Sequence, residues 1–499
     1  MTLGLMSTGQ AGVVEDLTAW TGVPGRDEFF WMSQINKATL LTNCRQGLLT
    51  RAQAAKFGVG VKEVQKDAEC SGNPRPKMYI RYEPLLVRKV GLEVTLMHAG
   101  RSSQDMHATF QRAILRDETL RLMSAVNSVC QALVKMAHDN KDVLLPCYTN
   151  GVAAQPSNFA HVLLAHAAAF ERDYDRIKAS YDRLNECPMG ACVLNGTGWP
   201  LDRAAMASYL GFACPVENTF DAGQVAGTDI GVEAALVLVH PMLQICQFIA
   251  ELMQQYAQPH PWILVTSTYA SSAMPQKRNP GPLIDIRRDA STVLANLNSV
   301  MLRAHNIPTG MYDAKDEKIN REIVSDASCV IERFANVLGL LKVDRQRALE
   351  ELNRDWTASQ ELADVLMRRF DIVFRVGHTF ASRMVGFART HDLTPKTFPI
   401  EEACRIYRGL YDELKAEVPG LPAEFPLNEI QFREVLDPAH IVTQRAVAGG
   451  PQPEELGKLF VSVQNRLQRA QTCTQDCRNA LQSAQERLEN DFEALIGHE

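Results

Sequence analysis

The run Phe159-Ala160-His161-Val162-Leu163-Leu164-Ala165-His166-Ala167-Ala168-Ala169-Phe170-Glu171-Arg172-Asp173-Tyr174 decides the fold class. Phe159, Leu163, Phe170 and Tyr174 continue into Ile177, Tyr181 and Leu184. They recur at threes, fours and sevens, which is one face of a long helix and not the alternation of a strand. Working outward, Val225 to Tyr256, Leu283 to His305 and Ile319 to Leu341 repeat the pattern. From Pro453-Glu454 a last helix carries Phe460, Val463, Leu467, Ala470, Cys477, Leu481, Ala484 and Leu488, a seam suited to packing on another helix. Phe29 to Leu49 and Pro84 to Met97 read as helices, and Leu362-Ala363-Asp364 starts another. Phe398 to Gly450 is punctuated by Pro and Gly and reads as a smaller mixed segment. No strand-alternating run or Rossmann glycine fingerprint is convincing. The class is all-α, built on helices so long that association into a bundle is favoured.

At 499 residues the chain is expected to form two or three domains. Its 46% hydrophobic and 22% charged residues are those of a soluble globular protein. A net charge of −6 argues against nucleic-acid binding without excluding an anionic substrate at a local basic site. The 12 cysteines form no C-x-x-C pair and no zinc pattern, so a reducing cytoplasm is the simplest compartment. Cys473 and Cys477, one turn apart, read as small apolar residues on a helix seam. Met1 to Arg26 lacks the basic start and apolar core of a signal peptide. Ile230 to Leu252 is the most apolar window. It carries Glu233, His240 and Pro241, and is expected to be a buried helix and not a membrane span.

Between the helices lie polar loops. Ser271-Ser272-Ala273-Met274-Pro275-Gln276-Lys277-Arg278-Asn279-Pro280 joins two long helical segments and is dense in hydrogen-bond donors. In Ala99-Gly100-Arg101-Ser102-Ser103-Gln104-Asp105, Gly100 breaks one helix, and Ser102 or Ser103 caps the next with Asp105 in its first turn. Such an N-terminus beside Arg101 can bind a carboxylate. His107, one turn further on, reads first as a helix-surface residue. Leu144 to Pro156, with Pro146-Cys147-Tyr148-Thr149-Asn150-Gly151 inside it, reads as a further breaker-containing loop, and Asn306 to Lys318 as another.

Ser271 to Pro280 resembles the signature loop of the aspartase/fumarase superfamily, G-S-S-x-M-P-x-K-x-N-P, with Ala270 in place of its Gly. Within that superfamily the chain looks like argininosuccinate lyase. The 99–105 segment resembles T-G-R-S-R-N-D, Pro188 to Arg203 resembles P-L-G-x-G-A-L-A-G-T-x-x-P-I-D-R, and Gly449 to Glu454 resembles G-G-T-A-P-E. The resemblance implies three mostly helical domains, placed at 1–106, 107–362 and 363–499, with the signature loop on the central one. It also implies a homotetramer around a central helical bundle, active sites collecting loops from three subunits, and no metal or organic cofactor. Two departures fall on substrate-facing positions: the family's T-H dipeptide is Thr149-Asn150 here, and its R-N pair is Ser103-Gln104. The His-to-Asn change fits a subgroup similar to ethylenediamine-disuccinate lyase.

The chemistry so implied removes a proton next to a carboxylate and expels an amine from the neighbouring carbon, forming fumarate. The proton is weakly acidic, and the aci-carboxylate dianion needs donors and positive charge as it forms. By resemblance Ser271 is the base, activated by Lys277 and backbone N–H groups, with Asn279 beside them. Thr149, Asn150, Ser102 and Gln104 bind the succinyl carboxylates, and Arg101, Ser103, Ser272, Met274 and Lys315 complete the substrate set. The partners are then fumarate with an amine or amino acid, or an N-substituted aspartate, with neither nucleic acid nor membrane. The alternatives are argininosuccinate lyase proper, an adenylosuccinate-lyase relative, or a silent crystallin-like homologue.

Overall fold

The computed structural model describes residues 26–70, 73, 75–311 and 318–497. Residues 1–25, on which the signal-peptide expectation rests, and Lys315 lie outside these described residues. The class is all-α as expected, with four two-stranded ribbons among the described residues.

The first helices are α1 (Glu28–Arg45), α2 (Arg51–Glu69) and α3 (Tyr79–Val90). Asp27 and Thr50 cap the first two, Thr50 through a capping box with Gln53. The expected helix from Pro84 to Met97 is displaced. α3 begins at Tyr79 and holds exposed Pro84 inside it, and Gly91 (φ +101°) ends it before a 3₁₀ turn, Leu92–His98. Water can replace the N–H that Pro84 lacks, which is why the helix tolerates it.

α4 (Ser103–Asp139) runs 37 residues. A hairpin follows, β1 (Leu144–Thr149) with β2 (Val152–Asn158), then α5 (Phe159–Leu184). The hairpin corrects the loop reading of 144–156. Thr149 pairs with Val152, leaving Asn150 (φ +52°) and Gly151 (φ +75°) as a two-residue turn. Two positive φ values make a type I′ turn, for which Asn-Gly is the preferred sequence. Prolines at 146 and 156 face each other on the two strands and obscure the strand signal.

After β3 (Glu186–Cys187), α6 (Arg203–Tyr209) and β4 (Cys214–Pro215), a π-turn at Asp221–Val225 leads into α7 (Ala226–Leu236) and α8 (Val239–Tyr256). β5 (Ile263–Val265) precedes a ribbon of β6 (Tyr269–Ala270) and β7 (Arg278–Asn279). α9 (Gly281–Ala304) and α10 (Lys318–Leu338) follow, and β8 (Leu341–Val343) pairs back with β5. Next come α11 (Arg345–Arg354), α12 (Ser359–Phe370), α13 (Phe374–Thr390), α14 (Ile400–Leu414), α15 (Glu429–Leu436) and α16 (Pro438–Gln444). α17 (Pro453–Ile496) spans 44 residues, about 66 Å at the usual rise.

Among the described residues three large apolar cores and one small cluster (Ala191, Val216, Ala222) form, but they do not follow consecutive segments. The central core joins α4, α5, α8, α9 and α10. The first core takes α1 to α3, the start of α4 and also Cys187 to Phe212. The third spans Trp356 to Ile441. α17 belongs to none of the third: Leu456, Val463, Leu467 and Leu481 enter the central core, and Leu488, Phe492 and Leu495 enter the first. The segment expected as a C-terminal domain, 363–499, thus ends in a helix that packs into the central and first cores. Its apolar seam suits packing on another helix, as read from the sequence, but periodicity does not name the partner.

The apolar run Asp221–Tyr256 is long and apolar enough, by length and composition, to cross a membrane, and 44% of its most apolar window is buried. Its inner face packs on α5, α9 and α10. Val225 and Leu243 stay exposed, so the expected buried helix is only half covered by this chain.

Candidate functional site

The signature loop is pinned at its neck. Tyr269 and Ala270 pair with Asn279 and Arg278, and the Asn279 Nδ2 donates to the Tyr269 carbonyl at 3.1 Å. Tyr269 donates its phenol hydrogen to Asp285 Oδ2 at 2.6 Å, and its ring lies so close over Gly281 that a Cβ there would collide with it. Asn279 is thus spent partly on holding the loop. At the tip, the Ser271 hydroxyl oxygen accepts from the backbone N–H of Met274 at 3.1 Å and of Ala273 at 3.4 Å. Lys277 N donates to Met274 O at 3.0 Å and closes the turn. Ser272, Met274 and Lys277 are exposed, and Ser271 is half-buried.

The 99–107 segment is built differently. Gly100 (φ +65°) turns the chain where a Cβ would meet Leu201 at 2.6 Å. Arg101 is 3% exposed and turned inward: Nη1 donates to Asn36 Oδ1 at 2.9 Å and Thr39 Oγ1 at 3.2 Å, and Nη2 to the Tyr79 hydroxyl at 2.6 Å. Its guanidinium lies 4.9 Å above the Tyr79 ring. Both terminal nitrogens are therefore committed to the scaffold, where the sequence suggested a carboxylate ligand. Ser102 caps α4, as expected, accepting from Gln104 N at 3.2 Å, and Asp105 Oδ1 reciprocates by accepting from Ser102 N at 2.6 Å. Asp105 Oδ2 also accepts from Gly190 N and Cys192 N at 3.1 and 3.2 Å, tying this segment to the 188–193 loop. Burial pushes the Asp105 carboxyl above its usual range against the pull of these N–H groups. Ser103 is exposed and Gln104 half-buried. His107 is not a surface residue: it is 8% exposed, contacts Gln111 Nε2 at 3.3 Å and meets Phe110 edge-on.

Thr149 and Asn150 stand exposed at the hairpin tip. Behind them Tyr148 is held from three sides, a feature the sequence reading missed. Only its aromatic character beside the turn could have signalled it. His161 was missed likewise: its Nε2 donates to the carbonyl of Gly449 at 2.9 Å, bringing the C-terminal glycine pair against α5. So was Glu361, 4% exposed and clasped by Arg368 and Arg445.

The chain does not gather these segments in one cavity. Asn150 rims a cavity of about 950 Å³ between the hairpin, α5 and α8. Gln104 and His107 line a narrow cleft against α7, and Arg101 borders a third space near Leu201 and Asp202. The Ser271 loop contributes to none of the three. Among the described residues no group of three or more His, Cys, Asp or Glu side chains could hold a metal ion.

Comparison with known proteins falls in line with this architecture. Residues 61–294 match a family model described as lyase. Argininosuccinate lyase 2 of Shouchella clausii is 31% identical over 433 residues, covering 85% of this chain and 88% of that protein. Argininosuccinate lyase 2 of Agrobacterium fabrum is 27% identical over 480 residues, 93% of this chain and 92% of that one. Among solved structures, EDDS lyase in complex with formate superposes with a TM-score of 0.83 at 25% identity, covering 94% of this chain and 92% of that one. A class II fumarase from Schistosoma mansoni shares the fold at a TM-score of 0.64 and 15% identity, covering 82% of this chain and 90% of that one. The chain belongs to the aspartase/fumarase family of lyases.

Proposed function

We propose that the protein is a carbon–nitrogen lyase that reversibly eliminates an amine or amino acid from an N-substituted aspartate and releases fumarate. The observation that carries this reading is the turn around Ser271. Two backbone N–H groups point at its Oγ, and a lysine lies six residues on at the same loop tip. Donors so arranged favour a negatively charged oxygen, which a serine must become to take a carbon-bound proton. Lys277 and Asn279 then meet the aci-carboxylate as charge builds on it. Thr149, Asn150, Ser102 and Gln104 hold the succinyl carboxylates as neutral donors, with Ser103, Ser272 and Met274 as further substrate contacts and Lys315 added to that set by resemblance alone. Arg101 supports the capped turn from within.

The loops that this chemistry needs lie apart in one chain, so the site is completed by neighbouring copies. Long helices with a half-exposed apolar face, Val225 and Leu243 on one and Ile284, Met301 and Leu302 on another, suit a homotetrameric bundle. The amine nitrogen is already protonated in the bound substrate and takes the C–N bond pair to depart as the neutral amine, so Asn150 orients and does not donate a proton. The similarity to EDDS lyase favours a diamine or amino acid over arginine as the partner.

The test is a panel of amines incubated with fumarate, with product mass read out, and the reverse reaction followed by fumarate absorbance. Diamines or amino acids should add while arginine fails. Arginine reacting alone would assign the chain to argininosuccinate lyase proper, and no reaction with any amine would leave a structural homologue.

A further inference from the structure

The hairpin that carries Thr149 and Asn150 has an exposed tip, yet it is anchored one residue behind that tip by a polar network inside the protein. Pairing of β1 with β2 is regular up to Cys147 and shifts register between Cys147 and Tyr148. Such an irregularity re-aims the side chain that follows it. The Tyr148 hydroxyl lands where it donates to Glu351 Oε1 of α11 at 2.5 Å. It accepts from Gln255 Nε2 at the end of α8 at 3.1 Å and from Trp262 Nε1 before β5 at 3.2 Å. One donor hydrogen and two lone pairs are thereby all used.

The partners hold one another as well. Gln255 Oε1 accepts from Trp262 N at 3.2 Å. Trp262 O accepts from the N–H of Asp344 at 2.7 Å, and Asp344 is the residue that caps α11, the helix bearing Glu351. The Trp262 ring meets Phe159, the first residue of α5, edge-on at 5.5 Å. Gln255 is 3% and Trp262 7% exposed, so donors aimed at the phenol would be left without an acceptor if it were removed. An apolar side chain would fill the same space. The hydroxyl ties the strand end to α8, to α11 and to the residue before β5.

From this geometry we infer that Tyr148 is a positioning residue for the reaction, its hydroxyl clamped among Glu351, Gln255 and Trp262 so that the adjacent hairpin tip bearing Thr149 and Asn150 is held in one orientation toward the substrate. It touches no reacting atom and acts through the turn. Groups that bind a transition state must be held to fractions of an ångström, and a second layer of hydrogen bonds is the usual means. The catalytic part of this inference rests on the lyase reading above; the anchoring of the turn does not.

The test uses the full-length assembled protein with Tyr148→Phe, Glu351→Ala and Glu351→Gln. Two readouts are needed: steady-state kinetics, and hydrogen exchange of the 144–158 hairpin by mass spectrometry. Tyr148→Phe should raise exchange at the hairpin and not in α4 or α17. It should lower kcat by about tenfold or more with KM for fumarate little changed, since misplacement of about 1 Å can cost that much or more. Glu351→Ala should match it, and the double variant should be no worse than either single one. Glu351→Gln keeps an acceptor for the phenol and should retain most of the activity. Unchanged hairpin exchange in Tyr148→Phe would overturn the proposal. So would wild-type kcat in a loosened hairpin, or a loss that follows global unfolding and that Glu351→Gln shares. If the wild-type protein turns over no amine with fumarate, the lyase reading is what has failed, and hairpin exchange still decides whether Tyr148 holds the turn.

Discussion

A serine hydroxyl is a weak base, and what surrounds Ser271 determines whether it can act as one. Its Oγ already accepts from two backbone N–H groups in a loop whose neck is stitched by β6 and β7. Ser271→Ala should therefore lower kcat by about 10²–10⁴-fold, the usual worth of a positioned base, while thermal unfolding stays put because both N–H donors reach water. Near-normal turnover in that variant would remove the assignment. Asn150 answers to two demands at once. By resemblance it stands where the family carries histidine, and it occupies a left-handed position of a type I′ turn. Asn150→Ala should weaken the fold by about 1 kcal/mol through that backbone conformation alone. Urea denaturation reads this independently of activity.

Among elements, the join between the 99–105 turn and the 188–193 loop carries the largest local stake. Asp105 accepts three backbone N–H groups while buried, so Asp105→Asn must set an amide N–H against at least one of them. A loss of about 2–3 kcal/mol follows from an unsatisfied buried group, visible as a lower urea midpoint with an unchanged slope. The partner loop is itself strained. Val193 is β-branched at φ +76° and follows Cys192 at φ +47°. The Val193 carbonyl crowds Gly223, where a Cβ would sit 2.1 Å away, and it accepts from Gln224 Nε2 at 3.0 Å. Val193→Gly should stabilise the protein by about 1 kcal/mol by removing the left-handed penalty, and calorimetry would register it as a higher Tm.

For the whole molecule, the claim to test is that each site is shared. Ser271→Ala and a Thr149-Asn150 double-alanine variant should each be nearly inactive alone. Mixed, dissociated and reassembled, they should regain activity, because some sites then take the loop from one copy and the hairpin from another. No recovery on mixing would mean that the two segments serve the same chain. Stability against pH carries a second signature. Burial pushes the Asp173 carboxyl up to about 6, opposed by Arg176 and His240. A carboxyl raised in the folded state binds its proton more tightly folded than unfolded. Its contribution to stability is therefore most favourable below the unfolded value, declines as pH rises to about 6, and is flat above. Asp173→Asn should remove that decline, a difference that urea midpoints at acid and neutral pH would show.

The sequence by itself determined the helical class, most of the long helices and the family. Those follow from short-range physics: the 3.6-residue recurrence from Phe159 to Leu184, the cap at Ser102, the breaker at Gly100 and the contiguous string from Ser271 to Pro280. Tertiary structure alone decided that Arg101 turns inward, that α17 returns to two earlier cores and that Tyr148 is clamped by Glu351 some two hundred residues away. Each of those depends on which distant group arrives beside a side chain, and periodicity carries no record of that. The same reason hid the hairpin: Asn150-Gly151 announces a turn, but pairing of Leu144 with Asn158 is a contact between strands too short and too proline-marked to alternate visibly.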